Sequence, residues 1–309
     1  MKYGTVEGIA APISRAVIGS MIFSPEAKQL TYDLLDEFQK LGGNCIDTAH
    51  IYGGGKSEQA LGMYFKERDR SKWIVLDKGC HPYGKPRVSV ECIREDLKDS
   101  FERLQQTPYI DIWVFHRDEP GVAVGPLCEE LNSWIAKGKI RAIGASNWTA
   151  QRIDEFNEYA QKKKLKGFVL SSTNLSLAVA KEAMWAGSIS VSSDDRAWHA
   201  KKQFPLFAWS SQARGFFSGR FAPDKKDGDP DVIRCYYTEE NWERLRRANE
   251  LGKKKNLSAV QIAFAYVMQQ PFPTWCLIGP ANLDELRSSV SALNVSLTPD
   301  ECKWLNLEK

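Results

Sequence analysis

Apolar residues are grouped along this chain in short unbroken runs, separated by longer stretches in which they recur every three or four positions. The runs fall at 16–20, 44–48, 73–78, 110–116, 142–146, 167–172, 206–210 and 275–279. Each is too short for a helix and too uniformly apolar for a strand with one wet face, so the pattern predicts strands buried on both faces. The periodic stretches predict helices near 25–41, 57–67, 89–104, 126–138, 149–163, 193–203, 238–255 and 282–293. Strand–helix alternation of this kind, repeated through 309 residues, predicts an α/β fold in which a parallel sheet closes into a (β/α)8 TIM barrel. A doubly wound sheet would need a G-x-G-x-x-G turn after the first strand, where only Gly19 stands. Residues 2–14 suit an N-terminal hairpin under the barrel, and 298–305 a final capped helix. The Gly/Pro/Asp-rich segment 214–237 makes a long loop after the seventh strand, a place where barrels carry function. No shift of composition marks a boundary, so 1–309 is expected to be a single domain.

Composition narrows the class. Apolar residues make up 43% and charged residues 26%, enough for a large core, and no stretch is long and apolar enough to span a bilayer. Lys and Arg number 42 against 39 acids. The two KKK runs, at 162–164 and 253–255, sit at predicted helix ends, where cations favour the C-terminal dipole. Neither nucleic acid nor membrane is therefore expected as a partner. The odd, scattered cysteines, with no C-x-x-C pair and no signal peptide, suit reduced thiols in a cytoplasm. Four histidines without ligand spacing predict no metal, which disfavours a metal-using barrel hydrolase.

Chemistry concentrates at the ends of the runs. In GGNCIDTAHIYGGGKSE, 42–58, paired glycines end a helix, a short strand leads to Asp47, and Gly53, Gly54 and Gly55 permit positive φ in the loop after Tyr52. Ser57 is placed to cap the next helix. A capping and packing role for Asp47 and Tyr52 is one reading. A P-loop is another, but His50 stands where its first glycine must be. The third is a carboxylate and a phenol set for proton transfer, which needs partners elsewhere. Candidate partners end other strands: Lys78 the third, His116 the fourth, Ser146 and Asn147 the fifth. Active sites of barrels gather at that face.

The stretch 42–58, then DKG, FHRDEP, GASNW and AWSSQARGFFSG, in order over nearly the whole chain, resembles the aldo-keto reductase family. The resemblance implies a catalytic tetrad of Asp47, Tyr52, Lys78 and His116, and carbonyl–alcohol interconversion with a nicotinamide cofactor. Tyr52 would exchange a proton with the substrate oxygen, Lys78 would lower the phenol pKa, Asp47 would hold Lys78, and a neutral His116 would orient the carbonyl. It places the cofactor against Gly19, Ser20, Met21, Asp47 and Ser172, with Ser146 and Asn147 at the carboxamide and Trp209 stacked on the nicotinamide. Ser210, Gln212, Arg214, Ser218 and Arg220 would take the pyrophosphate, and Gly279 and Asn282 the far end.

Two departures stand out. Ser172 replaces a frequent glutamine, and Ala281 replaces the basic residue that grips an adenosine 2′-phosphate, with Glu285 close by. NADP(H) is favoured over NAD(H) by a narrow margin. Phe23, Trp113, Trp148 and Tyr83 are candidate pocket walls beside Tyr52 and His116, and Arg117, Asp118, Glu119, His50 and His81 could serve a sugar or polyol. The alternative function is a nucleotide-holding regulatory subunit like the potassium-channel β subunits, which would retain its cofactor and turn over little.

Overall fold

The computed structural model describes residues 1–105 and 107–308. Two short strands, β1 (Tyr3–Gly4) and β2 (Ile13–Ser14), form an antiparallel hairpin. The next eight close a parallel barrel in sequence order: β3 (Ala16–Gly19), β4 (Cys45–Asp47), β5 (Ile74–Gly79), β6 (Ile110–Phe115), β7 (Ile140–Ser146), β8 (Phe168–Ser172), β9 (Leu206–Ala208) and β10 (Thr274–Ile278). β10 pairs with β3 through Cys276–Ala16 and its neighbours, leaving no sheet edge. Every predicted strand is present, shifted by at most two residues.

Alternation along the strands sorts side chains into two cores. Val17, Cys45, Ile74, Leu76, Ile112, Val114, Leu170, Phe207, Trp275 and Leu277 fill the barrel interior, and Val6, Ile9 and Ile13 of the hairpin join them from below. Ile18, Ile46, Val75, Trp113, Phe115, Ile143 and Cys276 face outward under the helices. These are α1 (Lys28–Lys40), α2 (Lys56–Glu67), α3 (Val90–Leu104), α4 (Val124–Ala136), α5 (Ala150–Lys163), α6 (Ser193–Lys202), α7 (Pro230–Tyr236), α8 (Glu239–Lys255), α9 (Ala259–Met268), α10 (Leu283–Ser291) and α11 (Pro299–Leu305). No helix among the described residues is long and apolar enough to cross a membrane.

Two of these helices escape the sequence pattern. α9, AVQIAFAYVM, is buried along nearly its whole length and has no polar face, so it carries no amphipathic period to detect. α7 lies within the segment read as loop. Asp229 caps it and Pro230 opens it, a start signal hidden by the surrounding Gly, Asp and Lys residues. The capping assignment of Ser57 is also corrected. Gly55 holds the N-cap of α2, while the Ser57 hydroxyl donates to the Ser20 carbonyl, 2.8 Å away, and ties α2 to the end of β3.

α2 lies close against α3. A Cβ built on Gly62 would overlap the Arg103 carbonyl oxygen, a backbone atom that cannot swing aside. Gly62→Ala is therefore expected to force the helices apart and lower stability by about 1–3 kcal/mol, read as a fall in the urea midpoint. An unchanged midpoint would show that this contact yields freely.

Candidate active site

The inward alternation that fills the barrel continues upward into a polar layer. Following Val17, Cys45, Leu76, Val114, Leu170, Phe207 and Leu277, the next inward positions are Gly19, Asp47, Lys78, His116, Ser172, Trp209 and Gly279, with Ser146 from β7 beside Ser172. Strand pairing sets Gly19 against Asp47 and Ser146 against Ser172. Glycines and polar groups thus occupy one mouth, at the C-terminal ends of the strands.

Lys78 is the hub. Its Nζ donates to Asp47 Oδ1 at 2.7 Å, to the Thr48 carbonyl at 2.8 Å and to the Tyr52 hydroxyl at 3.2 Å. Asp47 and Lys78 are both almost wholly buried, while Tyr52 is half-buried. Burial works against the Lys78 ammonium, yet Asp47 and Tyr52 outweigh it and its pKa is raised. Burial likewise lifts the Asp47 carboxyl above its usual range, with Lys78 opposing.

Lys78 draws the phenol pKa down, as expected, but it is not the largest influence. Burial pushes Tyr52 above the ordinary value of 10.0, and the pull of Lys78 falls short of the push. The phenol therefore keeps its proton across the neutral range.

The His116 ring stands edge-on to Tyr52, with centroids 5.7 Å apart. Burial first, then Lys78, Arg117 and His81, hold its pKa well below the ordinary imidazole range, so it is neutral. Its carbonyl accepts from Asn147 Nδ2 at 3.1 Å, and Asn147 Oδ1 accepts from the Ile189 amide. Asn147 therefore fastens His116 to the loop after β8. It also donates to Ser146 Oγ, whose own hydrogen goes to the Ser172 carbonyl.

The loop carrying Tyr52 is clamped from below. Gly53, Gly54 and Gly55 all have positive φ, as the glycine cluster predicts. Arg103 of α3 donates from Nη1 to the His50 carbonyl and to Glu58 Oε2. A Cβ on Gly55 would strike the same guanidinium.

The remaining predicted site residues are unevenly gathered. Ser20 is buried and its hydroxyl bonds Thr48, whereas Met21 is 55% exposed on the rim. Ser172 Oγ and Trp209 Nε1 are buried atoms without a hydrogen-bond partner among the described residues. Ser210, Ala213 and Arg214 have positive φ, giving the loop after β9 an irregular backbone. Gln212 is bonded to Ser289, Ser218 accepts from Arg220 Nε, and Arg220 Nη2 lies 4.0 Å from Glu285. Arg214 is engaged by Asp229 at 2.6 Å, and its guanidinium lies over the Trp185 ring. Gly279 is open where a Cβ would project, and Asn282 caps α10 through the Glu285 amide.

The aromatic pocket walls need correction. Phe23 is buried in the core outside the barrel and Trp113 faces outward there, packed on Phe115. Trp148 is buried among Phe115, Phe156 and Phe168, and its Nε1 donates to the Arg117 carbonyl. Tyr83 is half-exposed and bonds His50. Trp185, which the sequence does not single out, packs on Trp209 with centroids 5.5 Å apart. It follows no strand and carries no periodic signal.

The chain is 25% identical to the uncharacterized oxidoreductase YrpG of Bacillus subtilis, an alignment covering 99% of this chain and 95% of that protein. It is 27% identical to a norsolorinic acid reductase of Aspergillus flavus, over 95% and 77% of the two chains. An aryl-alcohol dehydrogenase of Pestalotiopsis microspora is 26% identical, over 89% and 71%. The crystal structure of the thermostable aldo-keto reductase Tm1743 with the inhibitor epalrestat shares the fold, with a TM-score of 0.77 and 18% identity over the whole of both chains. A model of the Aldo/keto reductase family matches residues 16–306. With that match across nearly its full length, this chain belongs to the aldo/keto reductase family and is a carbonyl–alcohol oxidoreductase acting on small molecules.

Proposed function

We propose that the protein reduces a carbonyl to an alcohol with a nicotinamide dinucleotide, Tyr52 giving the proton to the substrate oxygen. The observation that carries this reading is the Lys78 ammonium, bonded at once to the buried Asp47 carboxylate and to the Tyr52 hydroxyl. A phenol buried beside a fixed cation gains stability as its proton leaves, because the developing phenolate is met by a charge already in place. Asp47 neutralises and orients that cation. Neutral His116 aims at the same oxygen without competing for the proton. A phenol that stays protonated near neutrality serves reduction better than oxidation.

The mouth fits the dinucleotide. The partnerless Ser172 Oγ and Trp209 Nε1, the open Gly279 and the half-buried Trp209 indole suit an aromatic carboxamide ring. When bound, the nicotinamide supplies the hydride. Gly19, Ser20, Ser146, Asn147, Ser172 and Trp209 would hold it, and Ser210, Gln212, Arg214, Ser218, Arg220, Gly279 and Asn282 the rest, with Met21 at the rim. Arg214 would have to share its charge with Asp229.

NADP(H) is the favoured form, and Arg220 supplies the cation that Ala281 cannot. Arg220→Ala is expected to raise the KM for NADPH by about tenfold while that for NADH changes little, since a charge-assisted contact contributes about 1.5–3 kcal/mol. Equal effects on both would place Arg220 at the pyrophosphate that the two cofactors share and remove it from the 2′-phosphate. The reading itself is tested by following NADPH consumption with aryl aldehydes, aliphatic aldehydes and keto-sugars. Sugars belong in the panel because His81 packs on His116 and Arg117 follows it, polar groups next to Tyr52. Absence of turnover with every class, together with cofactor that stays bound through purification, would replace it by a regulatory nucleotide-binding role.

A further inference from the structure

Arg117, the residue after His116, is a buried cation without an acid. It is only 5% exposed, and it forms no ion pair among the described residues. Its hydrogen bonds go to backbone carbonyls alone: Nε to Ala186 at 3.0 Å and Nη1 to His116 at 2.8 Å. Nη2 donates to nothing described, and Nη1 has a second N–H to spare. The neighbouring Asp118 is already held by Arg152. The cost of taking a guanidinium out of water is therefore met only by neutral oxygens, in a group that stays charged.

Two further buried polar atoms beside it are also without partners. His116 Nδ1 and His81 Nδ1 make no hydrogen bond among the described residues, and their ring centroids lie 4.7 Å apart. Asp47 and Lys78 cancel each other's charge, and Arg87 is paired with Asp96. The side of the mouth next to Tyr52 and His116 thus carries one uncompensated positive charge and a group of unused nitrogens. Tyr52, His116 and His81 all feel that charge.

We propose that Arg117, with His81 beside it, binds a carboxylate on the substrate, so that the preferred substrates are aldehydes or ketones bearing an acid group close to the carbonyl. The inference rests on the reductase reading above and names its substrate class. A planar carboxylate suits the free edge of one guanidinium, whereas a phosphate dianion would call for more donors than this corner offers. The carboxylate is unchanged in the reaction, in which hydride from the reduced nicotinamide and a proton from Tyr52 turn the carbonyl into the alcohol.

The test compares matched pairs, succinic semialdehyde with butanal and 2-carboxybenzaldehyde with benzaldehyde, using NADPH. For the wild type, kcat/KM for the acid member of at least one pair is expected to exceed that of its neutral partner by about tenfold or more, and this ratio to fall by about tenfold in Arg117→Met. Arg117→Lys, which keeps the charge, should recover part of it. A wild-type ratio near one in both pairs, or a ratio that survives in Arg117→Met, would overturn the proposal and leave Arg117 as a brace between His116 and the 185–188 loop. If no aldehyde of either kind is reduced, the reductase reading fails separately. Calorimetry on the protein with NADP+ then decides the carboxylate site: benzoate binding in preference to benzamide supports it, and equal binding removes it.

Discussion

Tyr52→Phe is expected to bind NADP(H) as the wild type does and to lose nearly all turnover, by about 10³-fold, within the range that a positioned proton donor contributes. The substitution removes one oxygen from a ring that remains edge-on to His116, so packing at the mouth changes little. Steady-state kinetics with an aldehyde, together with cofactor titration by fluorescence quenching, separate chemistry from binding. Full activity in this variant would remove Tyr52 from the mechanism. The pH profile of the wild type gives a second view of the same group. Its pKa in the folded protein lies above 10.0, so the donor keeps its proton through the neutral range. Reduction limited by this step should hold level there and decline only as pH rises through that raised value.

Lys78→Met is the second large effect, and it concerns stability as much as rate. It would leave the Asp47 carboxylate, 3% exposed, without the ammonium that now bonds it at 2.7 Å. Removing one partner of a buried ion pair costs about 3–5 kcal/mol, visible as a large fall in the urea midpoint at pH 7. Unopposed burial would raise the Asp47 pKa further. A carboxyl whose folded pKa lies above its unfolded value, about 3.9, is most compatible with the fold below that value. The variant should thus lose stability as pH rises through the folded pKa. Asp47→Asn combined with Lys78→Met removes the stranded charge and should recover much of the loss. Simple addition of the two single effects would show that the pair is not coupled.

Much of the fold could be read from the chain because eight runs buried on both faces leave a plain apolar signature that calls for a parallel sheet covered by helices, and the missing G-x-G-x-x-G turn favours the closed form over the doubly wound one. α9 was hidden for the opposite reason, being apolar on every side. Of the mouth, Asp47, Lys78 and His116 were findable as polar groups ending apolar runs. The same parity could have corrected Trp113: it lies three residues before His116, so the two must face opposite sides of the sheet. Phe23 and Trp148 lie in turns beyond their strands, where parity gives no guidance, and only packing places them in the outer core. The direction of the Tyr52 pKa is a balance between burial and a neighbouring cation, and burial is not written locally in a sequence.

Arg103 has a consequence for motion. It grips the His50 carbonyl and Glu58 together, while Ser57 anchors the start of α2 to β3. The loop carrying Tyr52 is thereby made part of the rigid wall. Opening it alone would break these bonds and strand the buried Glu58 carboxylate, so this loop can move only together with α2 and α3. Tyr52 is a fixed reference point of the mouth.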